Sequence, residues 1–271
     1  MEIKARDFSL EATLDSGQVF CFDREPDGSY RGVMSGRAVL IVQEGETLNI
    51  ETKGRPLTEE WVRTYFNLDQ DLSGLYGLLD ADPKLSPFLR QFRGLRIIRQ
   101  DPWEALACFI LSQNNNTRRI QKIYRGLSRT FSEGGLGFPE PSRIARSTEA
   151  FLRSLGLGYR APFLLESARQ IVRKHGWFCD IASLDYERAC AQLLQLPGVG
   201  PKVADCILLF GFQKYEAFPV DIWIWRAVRK LYFKGRKVSK EKIRAFGRKR
   251  WGSYAGYIQQ YVYHGARSGN L

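Results

Sequence analysis

The sequence predicts an α+β protein: an antiparallel β domain over residues 1–100, followed by an all-helical domain over residues 101–271. Three observations predict it. Short strand-like runs, separated by glycine turns, crowd the N-terminal fifty residues. From Asp101-Pro102 onward, apolar residues recur at helical spacing almost to the end. Charge divides at the same place: residues 1–100 hold 13 Lys+Arg and 16 Asp+Glu, whereas residues 101–271 hold 28 and 13. A basic second part beside a nearly neutral first part points to a polyanionic partner on one side of the molecule.

Composition narrows the class further. The chain has 271 residues, 44% of them hydrophobic, enough for a substantial core. No apolar run is long enough to span a membrane. Residues 1–7 alternate charges and lack the apolar core of a signal peptide. Five scattered cysteines without CxxC spacing fit reduced thiols in a cytosol rather than a disulfide frame. Only His175 and His264 are present, which argues against a histidine-rich metal site. We expect a cytoplasmic protein, nucleoid-associated in a prokaryote, with no metal and no organic cofactor.

In chain order, the strand-like runs are 20–22, 30–33, 38–42 and 47–51. Asp27-Gly28, Ser35-Gly36 and Glu44-Gly45 supply the turns of a meander. Residues 58–66 read as a helix with Trp61, Val62, Tyr65 and Phe66 on one face; residues 71–79 and 85–92 read as two more. Asp101 is a helix cap and Pro102 a first helical residue. Residues 133–141 are a loop, and residues 230–250 are a basic run that suits a solvated face or a phosphate track.

The most informative stretch is Leu196-Pro197-Gly198-Val199-Gly200-Pro201-Lys202-Val203-Ala204-Asp205-Cys206. It reads as a helix end, a tight glycine hairpin and a new helix. Gly198 and Gly200 permit positive φ and close backbone approach, and Pro201 suits the first helical position. The free N–H groups at this helix start, around Gly198, Gly200 and Val203, form an anion site for which phosphate is the natural occupant. Lys202 is either one more phosphate contact or a nucleophile. A lysine at a positive helix end beside buried surface is expected to have a lowered pKa, and a neutral amine is what attack on a sugar carbon requires. Pro219-Val220-Asp221 follows and opens another helix, with Asp221 a good N-cap.

The paired arrangement LPGVGxKVADC…PVD resembles the helix-hairpin-helix DNA glycosylases with a catalytic Lys and Asp, and more narrowly the 8-oxoguanine DNA glycosylase/AP lyase family. The resemblance covers nearly the whole chain and is strongest from residue 101 to residue 263. It implies a β domain followed by a helical glycosylase domain, with Lys202 and Asp221 catalytic. It implies as partner duplex DNA holding 8-oxoguanine opposite cytosine, and a monomeric enzyme. The four-cysteine cluster that some relatives use for an iron–sulfur centre is missing from the C-terminal sequence.

Further motifs match residue by residue. Asn114-Asn115-Asn116-x-x-Arg119 resembles the family's Asn-Asn-Asn-x-x-Arg, which implies that Asn114 fills the gap left by an extruded nucleotide and Arg119 reads the orphaned cytosine. Gly156-Leu157-Gly158-Tyr159-Arg160 is similar to the family's wedge; Tyr159 would enter the base stack and Arg160 contact the opposite cytosine. Gln259 and Tyr263, at i and i+4, share a helix face. The resemblance implies that Gln259 reads the Watson–Crick edge of the flipped base, Tyr263 stacks on one face and Cys206 lies on the other. Ser16-Gly17-Gln18-Val19-Phe20 implies a Gly17 carbonyl accepting from N7–H, a proton that 8-oxoguanine carries and guanine lacks. Two departures stand out. Trp223 occupies the place of a phosphate-contacting histidine, and Phe22 that of a tryptophan.

The expected reaction flips the base, forms a bond from Lys202 to C1′, and ends in β-elimination. Two alternatives stay open: a monofunctional alkylated-base glycosylase, which would lack the helical lysine, and a non-catalytic helix-hairpin-helix DNA-binding protein.

Overall fold

A computed structural model describes residues 1–269; residues 270 and 271 of the second predicted domain lie outside the described residues. Five strands form one antiparallel sheet: β1 (Glu2–Lys4), β2 (Phe22–Arg24), β3 (Tyr30–Met34), β4 (Arg37–Glu44) and β5 (Thr47–Thr52). Their spatial order is β1-β5-β4-β3-β2. The meander runs from β2 to β5, and β1 closes the far edge by pairing Ile3 with Leu48. The sequence reading omits β1, because three residues with one buried side chain are too few for alternation to register. The strand expected at 20–22 begins instead at Phe22. Phe20 turns away from the ladder and packs edge-on against Phe109, 6.0 Å between centroids.

Two apolar cores result. Ile3, Ile41, Leu48 and Ile50 of the sheet pack with Val62 and Phe66. The helix Glu59–Tyr65 therefore belongs to the sheet. The helices Ser73–Ala81 and Ser86–Phe92 lie before residue 100 but join the helical core through Leu75, Leu79 and Phe88. Gly265 makes room for the second of them; a Cβ there would lie 2.4 Å from Phe88. The division of packing thus falls earlier in the chain than the division of composition.

Eight later helices place the site: α1 (Pro102–Leu111), α2 (Thr117–Phe131), α3 (Ala161–Arg173), α4 (Tyr186–Leu193), α5 (Pro201–Phe212), α6 (Ile222–Tyr232), α7 (Lys240–Trp251) and α8 (Ala255–Arg267). The α1 helix starts as its sequence dictates, with the Asp101 carboxylate accepting from the Glu104 N–H at 2.9 Å. From Ala105 to Leu111 it is buried all round. Each leucine or isoleucine so buried stabilises the fold by about 2 kcal/mol. The α5 helix crosses α1 closely at Gly211, where a Cβ would lie 3.1 Å from Pro102.

Polar side chains join the sheet to the helices. Buried Gln18 donates to the carbonyls of Thr13 (3.0 Å) and Arg96 (2.8 Å) and accepts from the Ile98 N–H (2.8 Å). Buried Gln260 of α8 donates to the Ser16 carbonyl at 2.9 Å. The Gly17 turn is thereby held against α8.

Candidate active-site cleft

The glycine hairpin forms between α4 and α5. Gly198 takes φ +75° and meets the Phe163 ring of α3, which a Cβ would approach to 2.5 Å. Its carbonyl accepts from Gln113 at 2.9 Å, tying the hairpin to the turn after α1. Gly200 differs from expectation: its φ is −92°, so the backbone needs no glycine there. What glycine leaves is open space at the start of α5. Gly200 caps α5 without a side chain, so the N–H groups of Lys202 and Val203 face outward for an anion. The Val203 side chain is buried, and only its backbone can serve.

A cleft of about 720 Å³ opens beside this helix start, and Lys202, Cys206, Asp221, Gln259, Tyr263 and Gly17 all line it. Lys202 and Cys206 are one turn apart on α5 and share its face. Asp221 enters as the N-cap of α6, its carboxylate accepting from the Ile224 N–H at 2.8 Å. It is the one carboxylate among the described residues lining the cleft, against the cations Lys202, Lys240 and Arg267. Gln259 and Tyr263 come from α8. Gln259 is 4% exposed, and its Oε1 is buried with no partner in the protein. An orphaned buried acceptor costs about 1–3 kcal/mol, which a ligand N–H placed there would recover. Gly17 has φ +78°, and a Cβ on it would lie 2.4 Å from Arg267 Nη1 and 3.4 Å from the Tyr263 ring. Only glycine leaves this wall open.

The electrostatics correct one expectation. Burial lowers the Lys202 pKa, but its interactions with Cys206, Asp221 and Tyr263 outweigh it and hold the amine above its ordinary value. The expected lowering takes in the helix end and the buried surface but not these partners. The Cys206 thiol is pushed up to about 11, chiefly by burial. It is neutral at neutral pH, and the lasting negative charge is that of Asp221. Lys202 is then an ammonium, 5.4 Å above the Phe109 ring. Burial also raises the Asp221 carboxyl, against its backbone hydrogen bond from Ile224 and the charge of Lys202.

A second group stands at the cleft mouth. Asn114 is exposed with φ +47° and donates to the Tyr159 hydroxyl at 3.1 Å. The other two asparagines are structural: Asn115 donates to the Leu111 carbonyl (3.0 Å), and Asn116 caps α2 through the Arg119 N–H (2.9 Å). Tyr159 is 44% exposed, and Arg119 is exposed beside the Gly156 carbonyl at 3.4 Å. Arg160 lies beneath this group. It is 2% exposed, and its guanidinium donates to the carbonyls of Gln113 (2.8 Å) and Asn114 (2.9 Å). It lies 4.4 Å from the Tyr159 ring. Those hydrogen bonds brace the turn that carries Asn114, beneath the Tyr159 ring.

The sequence reading missed Phe109, Gln260, Lys240 and Arg267, all lining the cleft. Arg267 was accessible, since Gln259, Tyr263 and Arg267 continue one i, i+4 row. The others look like ordinary core or surface residues. Of the departures, Trp223 lines the cleft at 40% exposure, and Phe22 is buried under Gly32.

A helix-hairpin-helix with a lysine one residue inside its second helix, facing an aspartate that caps the next, defines a repair-glycosylase architecture. A family model for the 8-oxoguanine DNA glycosylase N-terminal domain matches residues 1–106, and one for HhH-GPD superfamily base excision DNA repair proteins matches residues 107–253. The sequence is 34% identical to a probable N-glycosylase/DNA lyase of Methanothermobacter thermautotrophicus, over all of this chain and 97% of that protein. It superposes with TM-score 0.91 and 33% identity on the Clostridium acetobutylicum 8-oxoguanine glycosylase/lyase, solved with double-stranded DNA containing cytosine opposite 8-oxoG, covering 100% of this chain and 99% of that one. A 3-methyladenine DNA glycosylase of Archaeoglobus fulgidus, 24% identical with TM-score 0.78, shares the fold. The chain belongs to the 8-oxoguanine glycosylase/lyase family of HhH-GPD proteins.

Proposed function

We propose that this protein is a bifunctional DNA glycosylase and AP lyase that removes 8-oxoguanine paired with cytosine. The observation that carries the reading is the convergence of Lys202, Asp221, Cys206, Gln259, Tyr263 and Gly17 on one cleft. An orphaned Gln259 acceptor suits a guanine-type edge, which presents two N–H donors where adenine presents one. The Gly17 carbonyl would accept N7–H, present only on the oxidised base. Cys206 and Tyr263 would hold the two faces of the ring.

In the reaction, the target nucleotide leaves the duplex, and Tyr159 and Asn114 take its place in the stack. Lys202 sheds its ammonium proton, and its lone pair forms a bond to C1′ as the C1′–N9 bond breaks. The departing base takes a proton on leaving. Asp221 opposes the positive charge that develops on the sugar. The sugar ring then opens at C1′–O4′ to a Schiff base on Lys202. Loss of a 2′ proton expels the 3′ phosphate, and hydrolysis frees the lysine. Arg119 would pair with the widowed cytosine. The Archaeoglobus glycosylase shows that the fold alone does not choose the base; the lysine favours the bifunctional reading.

We place the activity in the cytoplasm, on the nucleoid, in line with the archaeal origin of a relative that matches the full chain. Among the described residues no helix is long and apolar enough to cross a membrane.

The test measures base release and strand nicking separately, on duplexes with 8-oxoguanine opposite each of the four bases. Release and nicking by wild type, with cytosine preferred and the preference relaxed in Arg119→Ala, supports the proposal. Release without nicking would make the enzyme monofunctional, and an unchanged preference in Arg119→Ala would remove that residue from cytosine reading.

A further inference from the structure

Residues 222–250 carry twelve Lys+Arg and a single acidic residue, Glu241, so a net +11 of the chain's +12 arises from these 29 positions. Three of the arginines are neutralised by carboxylates. Arg244 pairs with buried Asp205 at 2.6 Å, Arg248 with Glu187 at 2.6 Å and Arg250 with Asp82 at 3.2 Å. A fourth, Arg229, supports the turn between α6 and α7. It donates to the carbonyls of Arg236 (2.7 Å) and Gly235 (2.5 Å) and lies 4.2 Å from the Trp225 ring. Trp225 in turn donates to the Val238 carbonyl at 2.7 Å. The turn is thus fixed from inside by side chains that satisfy its carbonyls, with Lys234 and Gly235 at positive φ.

What this fixed turn presents outward is cationic. Lys234, Arg236, Lys237 and Lys240 are exposed, and none has an ion-pair partner within 4.0 Å among the described residues. Four like charges on a seven-residue turn repel one another, a cost that a disordered lysine tail would avoid. Holding them on a rigid frame makes physical sense when an anion lattice lies opposite. The track is also continuous with the cleft: Lys240, its last cation, lines the pocket together with Asp221 and Trp223.

We infer that the α6–α7 turn is a second DNA-docking surface, which grips the phosphate backbone of the duplex flanking the lesion, outside the cleft. The surface rests on the reading of the cleft as a DNA site, and extends its footprint to one side. Lys240 bridges the two, and Lys234, Arg236 and Lys237 contact phosphates further along the flank. Such contacts carry no sequence information and add affinity by counterion release.

The test compares wild type with a Lys234→Gln/Arg236→Gln/Lys237→Gln variant, none of these residues belonging to the catalytic cleft. Affinity is measured against salt on a duplex with long flanks and on one that ends close to the lesion. With the long duplex the slope of log K against log salt is expected to shrink by about 0.9 per lost phosphate contact, roughly 2–3 in all, with about tenfold or more lost affinity. With the short duplex the two proteins are expected to bind alike. The single-turnover rate at saturating enzyme is expected to stay unchanged. An unaltered slope on the long duplex would overturn the inference, as would an equal loss on both duplexes, which would place the three side chains within the cleft's own footprint. Undamaged duplex keeps the two readings apart. A reduced slope there, in a protein whose wild type releases no 8-oxoguanine, would leave the surface standing and defeat the proposed function.

Discussion

Asp221 serves two neighbours at once. Its carboxylate caps α6 through the Ile224 N–H and is the negative charge of the cleft. Burial, its main influence, raises its pKa from the ordinary 3.8. The working carboxylate is therefore lost, as pH falls, at a higher pH than for an exposed aspartate. Lys202 is raised as well, so its neutral amine, the form the proposed attack needs, grows more abundant as pH rises. Single-turnover base release should fall on the acid side and climb toward alkaline pH. Asp221→Asn keeps much of the cap, so DNA affinity should persist while turnover drops about 10²-fold or more and the acid limb disappears. Equal activity in the variant would remove Asp221 from the chemistry. At this scale the sequence was most legible where motif spacing is local. Lys202 with Cys206, and Gln259 with Tyr263, sit on common faces as their spacing requires. It was least legible for charge: the sign of the Lys202 shift depends on Cys206 one turn on and also on Asp221 and Tyr263, which only tertiary packing brings close. Arg160 shows the same limit, since an arginine after Tyr159 reads alike in sequence whether it faces solvent or the carbonyls of Gln113 and Asn114.

Elements rather than single residues set the hairpin that holds Lys202. Its second helix, α5, is fixed from behind by Asp205. That buried carboxylate pairs with Arg244 of α7 and accepts from Tyr186 of α4. The front is fixed by Gly198 against Phe163. Gly198→Ala would force an alanine into φ near +75° and drive its Cβ into that ring. Denaturant unfolding should show a loss of about 1–3 kcal/mol. A loss near zero would mean that the hairpin relaxes freely and does not define the geometry. The helices themselves were readable from periodicity and caps, as Asp101 and Asp221 demonstrate. The three-residue β1 and the five-residue helix Leu10–Leu14 were not, because neither is long enough to carry a period.

The whole molecule joins a sheet to a helical body, and an acid sits at the seam. Glu104, in the first turn of α1, lines a crevice of about 860 Å³ that also touches Val33 to Gly36 of the sheet. Burial first, and then the charge of Asp101, raise its carboxyl to about 7, against a hydrogen bond from Tyr124. A raised carboxyl binds its proton more tightly folded than unfolded. Its contribution to stability is full below the ordinary 4.5 and is lost as pH rises through about 7. Glu104→Gln should therefore stabilise the protein at pH above that window, on the order of 1 kcal/mol once water around the half-buried group is counted, and change little in acid. Thermal melts across pH would show it; a variant less stable at high pH would contradict the linkage. Such a seam was not legible in the chain. Composition divides near residue 100, whereas Leu75, Leu79 and Phe88 already pack with the helices.

The central claim is that Lys202 becomes covalently joined to C1′ of the damaged nucleotide. Borohydride trapping on a duplex with 8-oxoguanine opposite cytosine tests it most directly, with wild type and Lys202→Gln side by side on a denaturing gel. The account predicts a protein–DNA adduct in wild type and none in the variant. An adduct of equal yield in Lys202→Gln, or base release by wild type with no adduct at all, would contradict it.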